Sequence, residues 1–250
     1  MAGHSHWAGI KHKKAVVDAK RGRLWSKLAR GLMAAARAGG GDPAANLSLK
    51  YAIDKAKAAN MPKDTIERAI LKGTGELEGQ QLEEIFYEGY GAGGVAILVE
   101  ALTDNRNRTV GEIRRIFERR GGNLGSSGCV QWQFEKKGLI TVPADGITEE
   151  RLLDIVLEAG AEDLENLGDV FEVTSAVEDF ATVTEAIEAA GLVKRQAEIA
   201  YVPTSTTPVT DPNDGRKILA LMEDLDDHDD VQNTFSNFDM DDELLAEIGA

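Results

Sequence analysis

Between residues 139 and 202 the hydrophobic pattern switches repeatedly between period two and period 3.6, and no other feature constrains the fold as tightly. Residues 139–142, 163–166, 170–174 and 196–202 have the composition and alternation of strands. Residues 148–159 and 176–190 repeat apolar groups at helical spacing. The resulting order, βαββαβ, is the ferredoxin-like pattern and needs no other part of the chain to close its sheet.

The flanking segments are incomplete alone. Upstream, residues 95–102 (VAILVEAL) are predicted as a buried strand. Residues 105–120 are predicted as a helix with Val110, Ile113 and Phe117 inward, and 129–134 as an alternating strand. Downstream, residues 211–226 start with Asp211 before Pro212, a helix opening, and 231–238 are predicted as a strand. Joining both sides gives a discontinuous domain of residues 78–136 plus 205–240, with 137–204 inserted in it. A last segment, 241–250, is predicted as an acidic C-terminal tail.

Ahead of these domains, residues 23–77 are predicted as a three-helix domain. In its first helix, 23–38, Leu24, Leu28, Leu32 and Ala35 share one face, and Arg23, Lys27, Arg30 and Arg37 lie nearly opposite. Gly39-Gly40-Gly41 ends that helix. The second is expected to start at Asp42-Pro43, and the third with Asp64 as N-cap and Gly73 at its close. The fold class is therefore α+β: an N-terminal three-helix domain followed by two ferredoxin-like α/β domains, the last inserted in the middle one.

Charge is strongly segregated. The chain of 250 residues has a net charge of −15. Residues 1–40 nevertheless carry nine Lys and Arg against Asp18 alone, while residues 145–250 carry five basic groups against twenty-eight acidic ones. A basic end of this kind points to a polyanionic partner, and the acidic end would repel it and favour one orientation. Residues 1–22 are expected to form a basic flexible tail. His4, His6, Trp7, Lys11, His12, Lys13, Lys14, Lys20 and Arg21 in that tail, with Arg23, Lys27, Arg30 and Arg37 on the first helix, are the candidate nucleic-acid contacts. Trp7 offers a ring for stacking on an unpaired base. Arg106 and Arg108 flank a predicted helix N-terminus, where backbone N–H groups also favour anions, and they join the candidate set.

Other motifs point away from catalysis. Gly89-Tyr90-Gly91-Ala92-Gly93-Gly94 matches the spacing of a dinucleotide loop but precedes a strand, whereas the pyrophosphate site needs a helix at that point. Gly89, Tyr90, Gly91, Gly93 and Gly94 are instead expected to form a tight loop for close backbone approach to a partner. The acidic run 224–230 lacks the glycine and terminal glutamate of a calcium loop and is expected to be a solvated connection. Ala2-Gly3-His4 at a free terminus can hold Cu(II), an incidental property. Cys129 is the sole cysteine, so neither an intrachain disulfide nor a multi-cysteine metal site is available, and a buried structural thiol is expected. No cofactor, metal or small-molecule substrate is expected, and no enzymatic activity. Without a signal-peptide core or an apolar span, a cytoplasmic location is expected.

Long strings of the chain resemble one family closely. GHSHWAGIKHKKAVVDAKRGRLWSKLAR, GGGDPAAN, NMPKDTIERAILKGTG, YEGYGAGGVAILVEALTDNRNRT and GGNLGSSGCVQWQF are similar to the YebC family. The chain departs from that family's usual pattern at His6, Gly9 and Ala92, where Lys, Asn and Pro are usual. The resemblance implies a helical domain followed by two α/β domains. It also implies a non-enzymatic role in gene expression. Two kinds of partner follow: rRNA or tRNA on the ribosome, for a translation factor that relieves stalling at sequences such as proline runs, or duplex DNA, for a transcriptional regulator.

Overall fold

A computed structural model describes residues 19–78 and 81–248. Most of the tail predicted over 1–22 lies outside the described residues. Helix α1, Ala19–Gly39, begins four residues earlier than its apolar face announces. Helices α2, Leu47–Ala58, and α3, Lys63–Thr74, pack against it. Leu32, Ala36, Leu49, Ala56, Met61, Ile66 and Ala69 form the centre of this small core, with Leu28 and Ala35 at its margin. Leu24 is exposed and lies outside it.

Three expected helix boundaries move, among them the start of α3, whose N-cap is Pro62 and not Asp64. Residues 42–45 form a turn, and Asn46 caps α2 by accepting the Leu49 N–H at 3.1 Å. The Asn46 amide also donates to the carbonyls of Ala35 and Gly40, each at 2.8 Å, so one buried side chain holds both ends of the α1–α2 connection. An asparagine that satisfies three backbone groups outcompetes the Asp42-Pro43 start. Gly73 does not end α3. A Cβ there would lie 2.5 Å from the Met33 carbonyl oxygen, so Gly73 permits the α1–α3 crossing, and Gly75, at φ +83°, closes the helix.

The middle domain is a four-stranded antiparallel sheet of β1 (Glu83–Tyr90), β2 (Ala96–Thr103), β3 (Asn123–Leu124) and β9 (Val231–Ser236), in the order β3-β1-β2-β9. Its helices are α4, Arg106–Arg119, and α7, Pro212–Asp226. Ile97, Val99, Ala101, Ile113, Phe117, Ile218, Leu221 and Leu225 fill the core between them. Two of the expected strands, β2 and β9, and both expected helices are present, but β1 was not anticipated, and the chain enters through the β1–β2 hairpin at the centre of the sheet, so its strand order differs from the ferredoxin-like one. Residues 129–134 are not a strand of it. Residues 129–133 form a turn and a 3-10 segment, and the short β3 takes the edge. A parallel pair, β8 (Thr207–Pro208) with β10 (Phe238–Asp239), and α8, Asp242–Ile248, complete this part. Leu244 and Leu245 of α8 enter the core, so residues 242–248 are a packed helix and not a tail.

Residues 134–202 form a compact unit of their own, and the chain rejoins the first unit at 203. Here β4 (Phe134–Pro143), β5 (Ala161–Asn166), β6 (Val170–Ser175) and β7 (Gln196–Pro203) are ordered β5-β6-β4-β7, the ferredoxin-like arrangement. Helices α5 (Glu149–Glu158) and α6 (Phe180–Ala189) contribute buried Leu152, Val156, Phe180, Val183 and Ile187. No helix among the described residues is long and apolar enough to cross a membrane.

Candidate nucleic-acid interface

The basic side of α1 faces two surroundings. Near the helix start, Arg23 is 60% exposed and only 3.9 Å from Asp227, a loose pair. Further along, Lys27 donates to the carbonyl of Asp226, and Arg30 donates to the carbonyls of Asp229 at 3.1 Å and Leu102 at 3.2 Å. The Arg30 guanidinium also pairs directly with the carboxylate of Asp230. Arg37, at the far end, donates to the Leu82 carbonyl at 3.3 Å and remains exposed. Lys20 and Arg21 lie in the first turn of α1, where only the backbone is described. His4, His6, Trp7, Lys11, His12, Lys13 and Lys14 lie outside the described residues.

Asp230 is the centre of this contact. Its side chain is 2% exposed and accepts from Arg108 at 2.7 Å, Thr109 at 2.6 Å and Thr103 at 3.2 Å, besides Arg30. Burial alone would raise its carboxyl, but hydrogen bonds from Thr109, Arg108 and Arg30 outweigh that and hold it well below the usual carboxylate range. A buried charge is tolerated because both carboxylate oxygens accept from donors, two of them cationic. Two more acids of the run 224–230 are engaged. Asp224 accepts from Arg120 at 2.6 Å and Arg119 at 2.8 Å, and these bonds lower its carboxyl. Asp226 accepts from Thr234 at 2.8 Å. The expected solvated connection is therefore ion-paired at Asp224 and Asp230, since α1 and α4 bring arginines to them that are distant in sequence, while Asp227 and Asp229 remain exposed.

Glu112, His228 and Asp230 place three potential metal ligands within 4.8 Å of one another. Their hydrogen bonds describe a different object. His228 Nδ1 accepts the Asp230 N–H at 3.1 Å, which leaves the proton on Nε2 to be donated to Glu112 at 2.9 Å. Both ring nitrogens are thus engaged, and Asp230 already faces two arginines. A cation would have to displace them.

The two candidate arginines at the start of α4 divide in the same way. Asn105 caps the helix by accepting the Arg108 N–H at 3.1 Å. Arg108 turns to Asp230 and, at 3.0 Å, Asp104, whereas Arg106 is exposed and 3.7 Å from Glu83. Arg30 and Arg108 thus serve the joint between domains. Arg23, Arg37 and Arg106 keep their heads accessible to a phosphate.

The glycine loop has a structural explanation at most of its positions. A Cβ on Gly89 would fall 2.6 Å from both the Asn123 carbonyl oxygen and Phe117 Cε1, and one on Gly91 would fall 3.2 Å from Ile97 Cδ1. At Gly89 and Gly91 the close approach is to the protein's own core. Gly93 and Gly94, at φ +65° and +78°, turn the chain from β1 into β2 and are exposed. Tyr90 donates its hydroxyl proton to the Cys129 carbonyl at 2.9 Å.

That bond leads to a second organised region. Glu88 is 2% exposed on β1, and its carboxylate accepts three backbone N–H groups: Gly128 at 2.5 Å, Val130 at 2.7 Å and Gln131 at 2.7 Å. This clamp bends residues 128–133 into a turn where alternation alone predicts a strand. Trp132 projects from the turn, 74% exposed, with its Nε1–H donated to the Cys129 carbonyl at 3.1 Å. Cys129 is partly buried, and burial followed by the nearby Glu88 raises its thiol, which favours the structural role expected for it. Sequence reasoning missed Asp230, Glu88 and Trp132. Residue order carried no usable signal for Glu88, because its strand, β1, was itself not anticipated.

Comparisons with known proteins place these features in context. The TACO1/YebC N-terminal domain matches residues 5–76, and the TACO1/YebC second and third domain matches residues 82–238. A probable transcriptional regulatory protein of Natranaerobius thermophilus is 52% identical over 248 residues, covering 98% of this chain and 99% of the relative. One of Acidithiobacillus ferrooxidans is 53% identical over 250 residues, covering 100% of this chain and 99% of the relative. A crystal structure of a conserved hypothetical protein from Aquifex aeolicus superimposes with a TM-score of 0.88 at 49% identity, covering 96% of this chain and 99% of that one.

Proposed function

We propose a function from one premise: the chain belongs to the TACO1/YebC family. It is a regulator within that family, and it acts by binding nucleic acid without a catalytic step. Its target is RNA on the ribosome, rRNA or tRNA, and its action is to relieve ribosomes stalled at sequences such as proline runs.

The observation that carries this reading is the placement of α1. A helix that reads a duplex groove needs one face free along its length. Lys27 and Arg30 instead tie the middle of α1 to the 226–230 ridge. Among the candidates with described side chains, Arg23, Arg37 and Arg106 remain available, and the basic sequence of residues 11–21 leads into the Arg23 end. Such a distribution suits a segment that follows the phosphates of a folded RNA while the acidic domains stay clear of it.

Co-sedimentation with ribosomes across a salt series tests it. If about five phosphates are engaged, the log–log slope is roughly −4, and a K11Q/K13Q/K14Q variant lowers its magnitude by about two to three. Equal sedimentation of both proteins at every salt concentration would overturn the reading. Ribosome transit through a proline-run template, with and without the protein, tests the finer role.

The relatives, which are probable transcriptional regulatory proteins, favour a second reading, a DNA-binding transcriptional regulator. A footprint on a defined duplex that persists against excess RNA would select it.

A further inference from the structure

Glu88 and Trp132 belong together in a way the N-terminal contacts do not explain. A buried carboxylate accepting three main-chain N–H groups from one turn fixes the backbone of that turn. What the fixed turn holds out to solvent is an indole that is 74% exposed. The indole N–H is already donated within the turn, to Cys129, so the ring offers its faces and edge without a hydrogen bond to give. Its exposed neighbours Ser126, Ser127 and Gly128 are small or polar. They supply no apolar patch of the kind that anchors a protein interface around a tryptophan.

Local charge decides the class of partner. In a chain with a net charge of −15, residues 119–134 contain no Asp or Glu, and their two arginines, Arg119 and Arg120, are paired with Asp224. The carboxylate that reaches into the turn, Glu88, is buried and bonded inward. A polyanion can therefore approach this turn without meeting an exposed acid from it, while Asp224 and Asp230 of the ridge at 224–230 are paired with Arg119, Arg120, Arg108 and Arg30.

We propose that the 125–133 turn is a stacking platform, and that Trp132 receives an unpaired base of a single-stranded RNA segment. Stacking on a ring whose polar atom is already bonded is tolerant of base identity. This inference rests on the nucleic-acid reading above and adds a contact point to it far along the chain from the basic N-terminus.

The full chain is titrated with a short oligouridylate and with an abasic oligonucleotide of the same length, which carries the phosphates and lacks the bases. The wild-type protein binds the base-bearing strand more tightly. Trp132→Ala lowers affinity for that strand by about five-fold or more and leaves the abasic strand unaffected, while Trp132→Phe retains most of the preference. The K11Q/K13Q/K14Q variant weakens both strands alike. If Trp132→Ala keeps the full base preference, or if Trp7→Ala removes it instead, the platform is overturned and nucleic-acid binding stands. Equal loss on both strands in Trp132→Ala would make Trp132 a support of the turn and also overturn it. A Trp132→Ala protein with intact RNA binding and reduced binding to a proline-rich peptide would assign the ring to a protein partner, against the proposal. Failure of the wild-type protein to bind either strand would remove both readings.

Discussion

Two carboxylates in this protein are equally buried, and they organise different things. Asp230 collects side-chain donors: Arg30 from α1, Thr103 from the end of β2, and Arg108 and Thr109 from α4. Glu88 collects main-chain donors from one turn. The donors of Asp230 come from two domains, so its charge acts as a joint. The donors of Glu88 span four residues, so its charge acts as a mould. A buried acid thus holds together whatever range of chain its donors come from, and its removal should disturb the same range.

Removing the joint is the harshest test of that difference. Asp230→Ala leaves two guanidinium groups without their shared partner, and a loss of about 3–5 kcal/mol is expected in denaturant unfolding. Amide exchange should accelerate in α1 and α4 together. Exchange changes confined to the neighbourhood of residue 230 would break the comparison. Glu88→Ala strands up to three N–H groups that water can reach in part, so about 2–3 kcal/mol is expected. Its exchange changes should stay within 125–133, and the Trp132 ring should lose its fixed orientation by fluorescence anisotropy in a W7F/W25F background.

Packing near the mould gives a smaller effect. Gly89→Ala drives a methyl group against the Phe117 ring and the Asn123 carbonyl, with about 1–3 kcal/mol expected in thermal or denaturant melts. Acid sharpens the comparison further. The folded Asp230 carboxyl is held below its ordinary value, so its contribution to stability is complete above the unfolded value of about 3.9 and is lost as pH falls below it. An Asp230→Asn protein should therefore lose stability less steeply than wild type between about pH 4 and pH 2. A parallel acid profile for the two proteins would contradict the assigned cause. The smallest effect belongs to Arg23→Ala. The pair with Asp227 is long and exposed, so stability should change by less than about 0.5 kcal/mol, while RNA affinity falls at low salt.

The same contrast explains what could be read from residue order. The inserted domain was legible because its βαββαβ alternation is local and Thr148 opens α5 by accepting the Arg151 N–H. Asp211-Pro212 opens α7 for the same reason, with the Asp211 carboxylate accepting the Asn213 N–H at 2.7 Å. Strand β1 was missed because its glycines and acids lower its strand propensity. Packing overrides that low propensity, since Gly89 is where Phe117 needs room and Glu88 is where the turn needs an acceptor. For the candidate site, charge alone grouped Arg23, Lys27, Arg30 and Arg37 on one face of α1. It could not separate them, because the acids that claim Arg30 lie some two hundred positions away.

Residue order by itself determined the helical domain, the two α/β domains with one inserted in the other, and a basic end opposed to an acidic one. Those features rest on local periodicity and on counting charge, which require no knowledge of what meets what. Tertiary structure alone decided that Arg30 and Arg108 are internal ties, that Asp224 and Asp230 of the acidic run are ion-paired, and that a buried glutamate holds Trp132 out to solvent. Each of these depends on a carboxylate meeting donors brought to it by folding. The strength of such a meeting is set by burial and geometry, neither of which exists in an unfolded chain.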